Sequence, residues 1–191
     1  TATFIYLFDH LVFLGGTFNM VWKVKKLLKK MPKLKDPVLI EGLPGIGNVG
    51  KVAVDFMIDE LGAEKIMEIT SFSLPHSVFV NEDNLVELPT IEIYYRKAQQ
   101  SKPKKKKRKK QSKTTKQRST QRDILFLSGD IQPTDEVASY EFSQTILSIL
   151  TGFKGKELIT IGGIGLSEVP EEPKVFCTGS SSKTVETFTK N

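Results

Sequence analysis

Cysteine, histidine and tryptophan are scarce in this chain, with one, two and one among 191 residues. The lone cysteine, Cys177, cannot form an internal disulfide, so nothing points to an oxidising compartment and a reduced, cytoplasmic setting is expected. With only His10 and His76 beside it, the ligands of a usual zinc site are missing, and neither a zinc hydrolase nor a cysteine protease is expected. Long apolar runs are absent too. Near the start, residues 4–8 and 11–14 are apolar but are split by Asp9 and His10. The patch is too short to span a bilayer, and it lacks the basic start and clear cleavage site of a signal peptide. No membrane contact is expected. Residues 1–19 are read as an N-terminal extension outside the fold, with Met20 as the natural first residue.

Acidic residues are missing from one long stretch. From Lys102 to Arg122 there are 12 lysines and arginines and no aspartate or glutamate. The chain holds 28 basic and 22 acidic residues in all, so outside this stretch 16 bases face 22 acids. The net charge of +6 is therefore a property of one segment rather than of the folded surface. Such a run repels itself and has no apolar residues to bury, so residues 98–122 are expected to be a disordered basic insertion. Doubling a loop costs only about 0.6 kcal/mol, so the flanking strands can still pair across it. Its functional reading is a non-specific polyanion contact, weighed against the blander and favoured reading of a solvated loop; without interleaved aromatics, sequence-specific nucleic-acid recognition is not expected. The remainder, residues 20–191, has the composition of one ordinary domain.

What is present is organised around residues 37–51. Val38, Leu39 and Ile40 form a short apolar run between Pro37 and Gly42, the pattern of a strand buried on both faces. After the glycine loop, Val49, Val52, Ala53, Phe56, Met57 and Leu61 recur at helical spacing up to Gly62, a natural stop. A strand feeding a helix through glycines predicts an α/β fold. Gly45-Ile46-Gly47-Asn48-Val49-Gly50 has dinucleotide-binding spacing, with Glu64 and Glu68 roughly 20 residues on as candidate ribose ligands. Gly45, Gly50 and Lys51 also match a phosphate loop, but Val52 replaces the hydroxyl that would bind magnesium. On either reading Gly45, Gly47, Asn48, Gly50 and Lys51 would form an anion cradle at a helix start. The competing reading is steric: glycines that permit a sharp turn and close packing.

Three blocks in order carry a resemblance: residues 43–53 (Leu-Pro-Gly-Ile-Gly-Asn-Val-Gly-Lys-Val-Ala), 129–133 (Gly-Asp-Ile-Gln-Pro) and 162–165 (Gly-Gly-Ile-Gly). Over residues 37–178 the chain resembles the proteasome assembly chaperone family, specifically the archaeal homologues of the second eukaryotic assembly chaperone. The resemblance implies a three-layer α/β sandwich with a mostly parallel sheet, similar to nucleoside phosphorylases and here possibly shortened at its C-terminus. It also implies an oligomeric protein that binds proteasome subunits, with no established catalytic residues, cofactor or metal. The alternative is a nucleotide- or nucleoside-binding enzyme using the Gly45 to Lys51 loop. Residues 103–110 would pass as a nuclear import signal, but archaeal relatives have no nucleus. The tail that docks some relatives into proteasome pockets is not matched by Thr189-Lys190-Asn191.

Trp22 and Val24 favour a strand leading to Pro32. Residues 65–71 alternate as a strand, and 77–80 with 85–88 flank the turn-forming 81–84 as a hairpin. Strands are also expected at 90–95, 123–128, 158–161 and 174–178, with weak structure at 180–183. His76 beside Ser73 and Ser77 lacks an orienting acid, so a structural or solvated role is expected. Thr134 is read as the cap of a helix that has Asp135 and Glu136 in its first turn and buries Val137, Phe142, Ile146, Ile149 and Leu150. Asp130 sits where a sheet strand ends. With Gln132 and Gly163 it is a cleft candidate; alternatively it is a turn carboxylate holding nearby N–H groups.

Overall fold

The computed structural model describes residues 22–98, 122–168, 171–172 and 174–189. Residues 1–19 and nearly all of the basic insertion lie outside the described residues. Eight strands and three α-helices are described: β1 Trp22–Lys26, β2 Val38–Gly42, α1 Val49–Leu61, β3 Glu64–Ser71, β4 Phe79–Val80, β5 Val86–Glu87, β6 Ile91–Arg96, β7 Ile124–Gly129, α2 Glu136–Gly152, β8 Glu157–Thr160 and α3 Ser182–Thr189. A 3₁₀ turn, Ile46–Asn48, leads into α1.

Six strands form one sheet in the order β1-β3-β6-β7-β2-β8, and β4 pairs with β5 separately. β2 runs parallel to β7 and β8, whereas the β1–β3, β3–β6 and β6–β7 pairs are antiparallel. The fold is mixed α/β, which corrects the expectation of a mostly parallel sheet. The reason lies in which strands meet: β6 and β7 are consecutive in the chain and neighbours in the sheet, and they pair antiparallel, as β1 with β3 and β3 with β6 do. The insertion's two ends are held side by side. Arg96 pairs with Ile124 across the sheet, and the buried Asp123 carboxylate accepts the N–H groups of Ala98 (2.8 Å) and Lys35 (2.6 Å).

Alternation along β7 divides the core. Leu125 and Leu127 join Leu39, Ile69, Ile91 and Ile93 on one face, against Phe142, Ile146 and Leu150 of α2. Trp22 closes that side, its ring centroid 4.9 Å from that of Phe142. Phe126 faces the other way and packs with Val54 and Ile58 of α1.

Several boundaries move for physical reasons. The cap of α2 is Asp135 rather than Thr134, its carboxylate accepting the Ala138 N–H. Val137 is exposed, while Phe142, Ile146 and Leu150 are buried as expected. Residues 174–178 are not a strand: no strand among the described residues offers them a ladder, and Val175 is fully exposed. Residues 182–183 begin α3 rather than a weakly structured tail, with Ser181 Oγ accepting the Thr184 N–H at 3.2 Å. On α1 the apolar spacing is real but the buried row is Gly50, Val54 and Ile58; Val52 and Phe56 are each 63% exposed.

Candidate functional site

The three glycines of the first loop do different work. Gly47 has φ +64°, the left-handed region that a β-branched residue enters only under strain, and Asn48 follows at φ +52°. Gly50 is a contact point: a Cβ there would lie 2.1 Å from the Ile161 carbonyl oxygen, and one on Gly42 would lie 2.1 Å from the Gly50 carbonyl oxygen. Around Gly45 there is open space. From the second glycine loop, Gly163 presses on the first, since its Cβ would come within 2.2 Å of the Ile46 oxygen. The two glycine loops therefore pack backbone on backbone, drawing the start of α1 down onto β2 and the end of β8. Gly62 ends α1 at φ +55°, its N–H bonded to the Asp59 and Ile58 carbonyls.

Beside α1, at the carboxyl end of β7, lies a cleft of about 290 Å³ whose lining includes Lys51, Asp55, Asp59, Thr90, Ser128 and Asp130. Gln132 and Gly163 are not among its lining residues. Lys51 projects from the first turn of α1 between two carboxylates, 3.0 Å from Asp55 and 3.7 Å from Asp130. Asp130 also accepts the Thr90 N–H at 3.2 Å, while its own N–H donates to the Thr90 carbonyl at 3.0 Å. It is a turn carboxylate and a cleft residue at once. The buried Ser128 hydroxyl donates to Asp55. Deeper in, Glu92 accepts from Lys65 (2.8 Å), from Thr90 (3.2 Å) and from the Tyr94 hydroxyl.

The electrostatics follow from these contacts. Burial works to raise the Glu92 carboxyl, yet the hydrogen bonds from Lys65, Tyr94 and Thr90 outweigh it and hold it below the usual carboxylate range. Burial, then the bond to Glu92, pushes the Tyr94 phenol well above its ordinary value, so it stays a proton donor. The hydrogen bond to Glu92 raises Lys65 in turn. Four carboxylates, from Asp55, Asp59, Glu92 and Asp130, surround the single cation Lys51 in the lining. No histidine or cysteine lines the cleft, and among the described residues no group of three potential ligands is placed to hold a metal. The arrangement can accept cationic or hydrogen-bond-donating groups.

Glu64 and Glu68 lie on β3, which is separated from β2 by β6 and β7. Glu64 accepts from the Tyr95 hydroxyl, and Glu68 pairs with Lys25 and Lys65. Neither stands where an acid next to the glycine loop would reach a ribose. Asp55, Ser128, Glu92 and Tyr94 were missed by sequence reasoning. Asp55 was findable as the partner four residues beyond Lys51 on one helix face. Ser128 was marked only as a polar residue ending an apolar strand. A second recess, about 300 Å³, lies at the opposite end of β7 beside Arg96, Lys97 and Arg122, where the insertion leaves the sheet. Among the described residues no helix is long and apolar enough to cross a membrane.

The family model described as the PAC2 family matches residues 39–191. The chain belongs to the PAC2 family. Among solved structures it is similar to PbaB of Pyrococcus furiosus, described as an archaeal proteasome activator. That likeness has 30% identity and a TM-score of 0.71, and covers 90% of this chain and 63% of PbaB. PbaA of Pyrococcus furiosus, described as an archaeal homologue of proteasome-assembly chaperone, is 21% identical with a TM-score of 0.51, covering 78% of this chain and 50% of that one, a likeness of fold alone. An uncharacterized protein of Methanocaldococcus jannaschii is 26% identical over 164 residues, 86% of this chain and 55% of its own length. The PAC2 chain described here thus spans less than two thirds of these relatives. The resemblance carried by the three sequence blocks is borne out by the family match and by these archaeal neighbours.

Proposed function

We propose that this PAC2-family protein is a non-enzymatic, chaperone-like protein that binds proteasome subunits and assists their assembly or activation. The observation that carries the reading is the likeness to the archaeal proteasome activator PbaB over 90% of the chain. The cleft chemistry supports it: Lys51 is already paired with Asp55 and Asp130, and Tyr94 is held as a donor. The binding surface belongs to a three-layer sandwich similar to nucleoside phosphorylases, a reading supported by helices packed on both faces of the sheet. The protein works in the cytoplasm and as a homo-oligomer. The insertion from Lys102 to Arg122 makes non-specific polyanion contacts, with dissociation constants of about 10⁻⁴ to 10⁻⁶ M at physiological salt.

Binding of the full chain to immobilised proteasome α subunits tests the main reading. Saturable binding is expected; none to any subunit, with the protein folded, overturns it. Calorimetry with ATP, NAD and nucleosides addresses the alternative enzyme reading. No heat of binding is expected, whereas binding lost in Lys51→Ala would establish the anion cradle of Gly45, Gly47, Asn48, Gly50 and Lys51. Deleting residues 101–121 is expected to remove polyanion binding and leave subunit binding intact.

A further inference from the structure

Between β3 and β6 the chain leaves the main sheet and builds the separate β4–β5 hairpin. Its turn is locally fixed. Asn81 Oδ1 accepts the N–H groups of Asp83 (3.0 Å) and Leu85 (2.9 Å), Asn81 Nδ2 donates to Glu87 at 2.7 Å, and Asn84 turns the chain at φ +60°. This ordered turn holds apolar side chains out in water: Val80 is 63% exposed, Leu85 62%, Val86 66% and Leu88 74%. A lone two-stranded hairpin is marginal in water, and contiguous exposed apolar side chains mark a contact surface. The arm is also of one sign. Residues 72–90 carry Glu82, Asp83 and Glu87 and no lysine or arginine.

The complementary surface stands elsewhere on the same chain. β1 is an outer strand of the sheet, and among the described residues it pairs only with β3, none of them pairing with its other backbone edge. From residue 23 to residue 35 there are seven lysines and no acid, every one of those lysines exposed. Lys23 already sits over the ring of Phe72, at the base of the arm, 5.1 Å from its centroid, so lysine-on-apolar contact is part of this surface.

We propose that the acidic, apolar β4–β5 arm of one copy docks on the basic β1 edge of a second copy, adding a strand to the sheet while Glu82 and Asp83 meet the lysines. Arm and receiving edge are different surfaces, so the contact is head-to-tail and leads to a closed ring or an open filament. The inference deepens the homo-oligomer reading above and does not depend on proteasome binding.

Sedimentation velocity of the full chain over a concentration series tests it, with circular dichroism confirming that each variant is folded. Wild-type protein is expected to associate, and Val86→Asp, at an exposed position, to weaken association by about tenfold or more. Charge swapping separates this contact from any other. Chains with Glu82→Lys and Asp83→Lys, or with Lys26→Glu and Lys29→Glu, should each be monomeric alone and, when mixed, co-assemble at equal stoichiometry with the two chains alternating. A monomeric wild type overturns both this contact and the homo-oligomer reading. Association unchanged by these variants overturns the contact alone, as does an arm variant that loses only its binding to a proteasome subunit.

Discussion

The two long helices lie against the same sheet by opposite means. α2 is held by bulk: Phe142, Ile146 and Leu150 fill the space over Leu39, Leu125 and Leu127. α1 is held by the absence of bulk, since Gly50 lets its first turn touch the backbone of Ile161 and Gly42 and only Val54 and Ile58 follow it into the core. One side of the sheet is a hydrophobic core of ordinary kind. The other combines a small apolar contact with a polar cleft, and its helix keeps Val52 and Phe56 in solvent. Helical spacing of apolar residues therefore marks a helix without marking its buried side.

The comparison breaks first at Gly50. A valine there meets main-chain oxygen that cannot move without shifting β8, so Gly50→Val should cost about 4 kcal/mol or more, read by denaturant unfolding. A soluble variant within 1 kcal/mol of wild type would show, against the usual range for point mutants, that α1 is not seated by backbone contact. On the other side Phe142→Ala should cost about 3–5 kcal/mol, because it empties a ring-sized volume beside Trp22. Asp135→Ala removes the cap of α2 and should cost about 1 kcal/mol. Smaller still, Phe56→Ser and Lys51→Ala should each stay within about 0.5 kcal/mol, since one side chain is exposed and the other sits in a partly exposed ion pair. A loss of several times that in Phe56→Ser would mean that the outward face of α1 is covered.

Acid should separate the two sides as well. The folded-state carboxyl of Glu92 is held below its ordinary value, so its contribution is present above the unfolded pKa of about 4.3 and is lost as pH falls through the depressed folded value. Wild-type stability should fall more steeply than that of Glu92→Gln on acidification below that point. Parallel pH profiles for the two proteins would show that Glu92 is not stabilised by Lys65, Tyr94 and Thr90.

Much of the chain's organisation was legible in advance. The runs that became β2, β3, β6 and β7 are short, apolar or alternating, and bounded by turn residues, and the hairpin was announced by residues 81–84. Strand direction was not, because parallel or antiparallel pairing depends on which strands meet and how they are joined. A smaller part of the candidate site was legible: Lys51 and Asp130 were named and Asp55 was findable from its spacing on α1, while Ser128 on β7 and Glu92 and Tyr94 on β6 join them only in the fold.

By itself the sequence determined most of the secondary-structure segments up to β8, the glycine turn at Gly47, the segregation of positive charge into one insertion and the motifs that place the chain in its family. These are local properties, set by backbone sterics, side-chain period and composition. Tertiary structure alone decided which face of α1 is buried, that Gly50 and Gly163 serve contacts between backbones, and that Lys51, beside Asp55 on its own helix, also faces Asp130. Each of those outcomes depends on residues more than a hundred positions apart or on different elements, and only packing brings them within reach of one another.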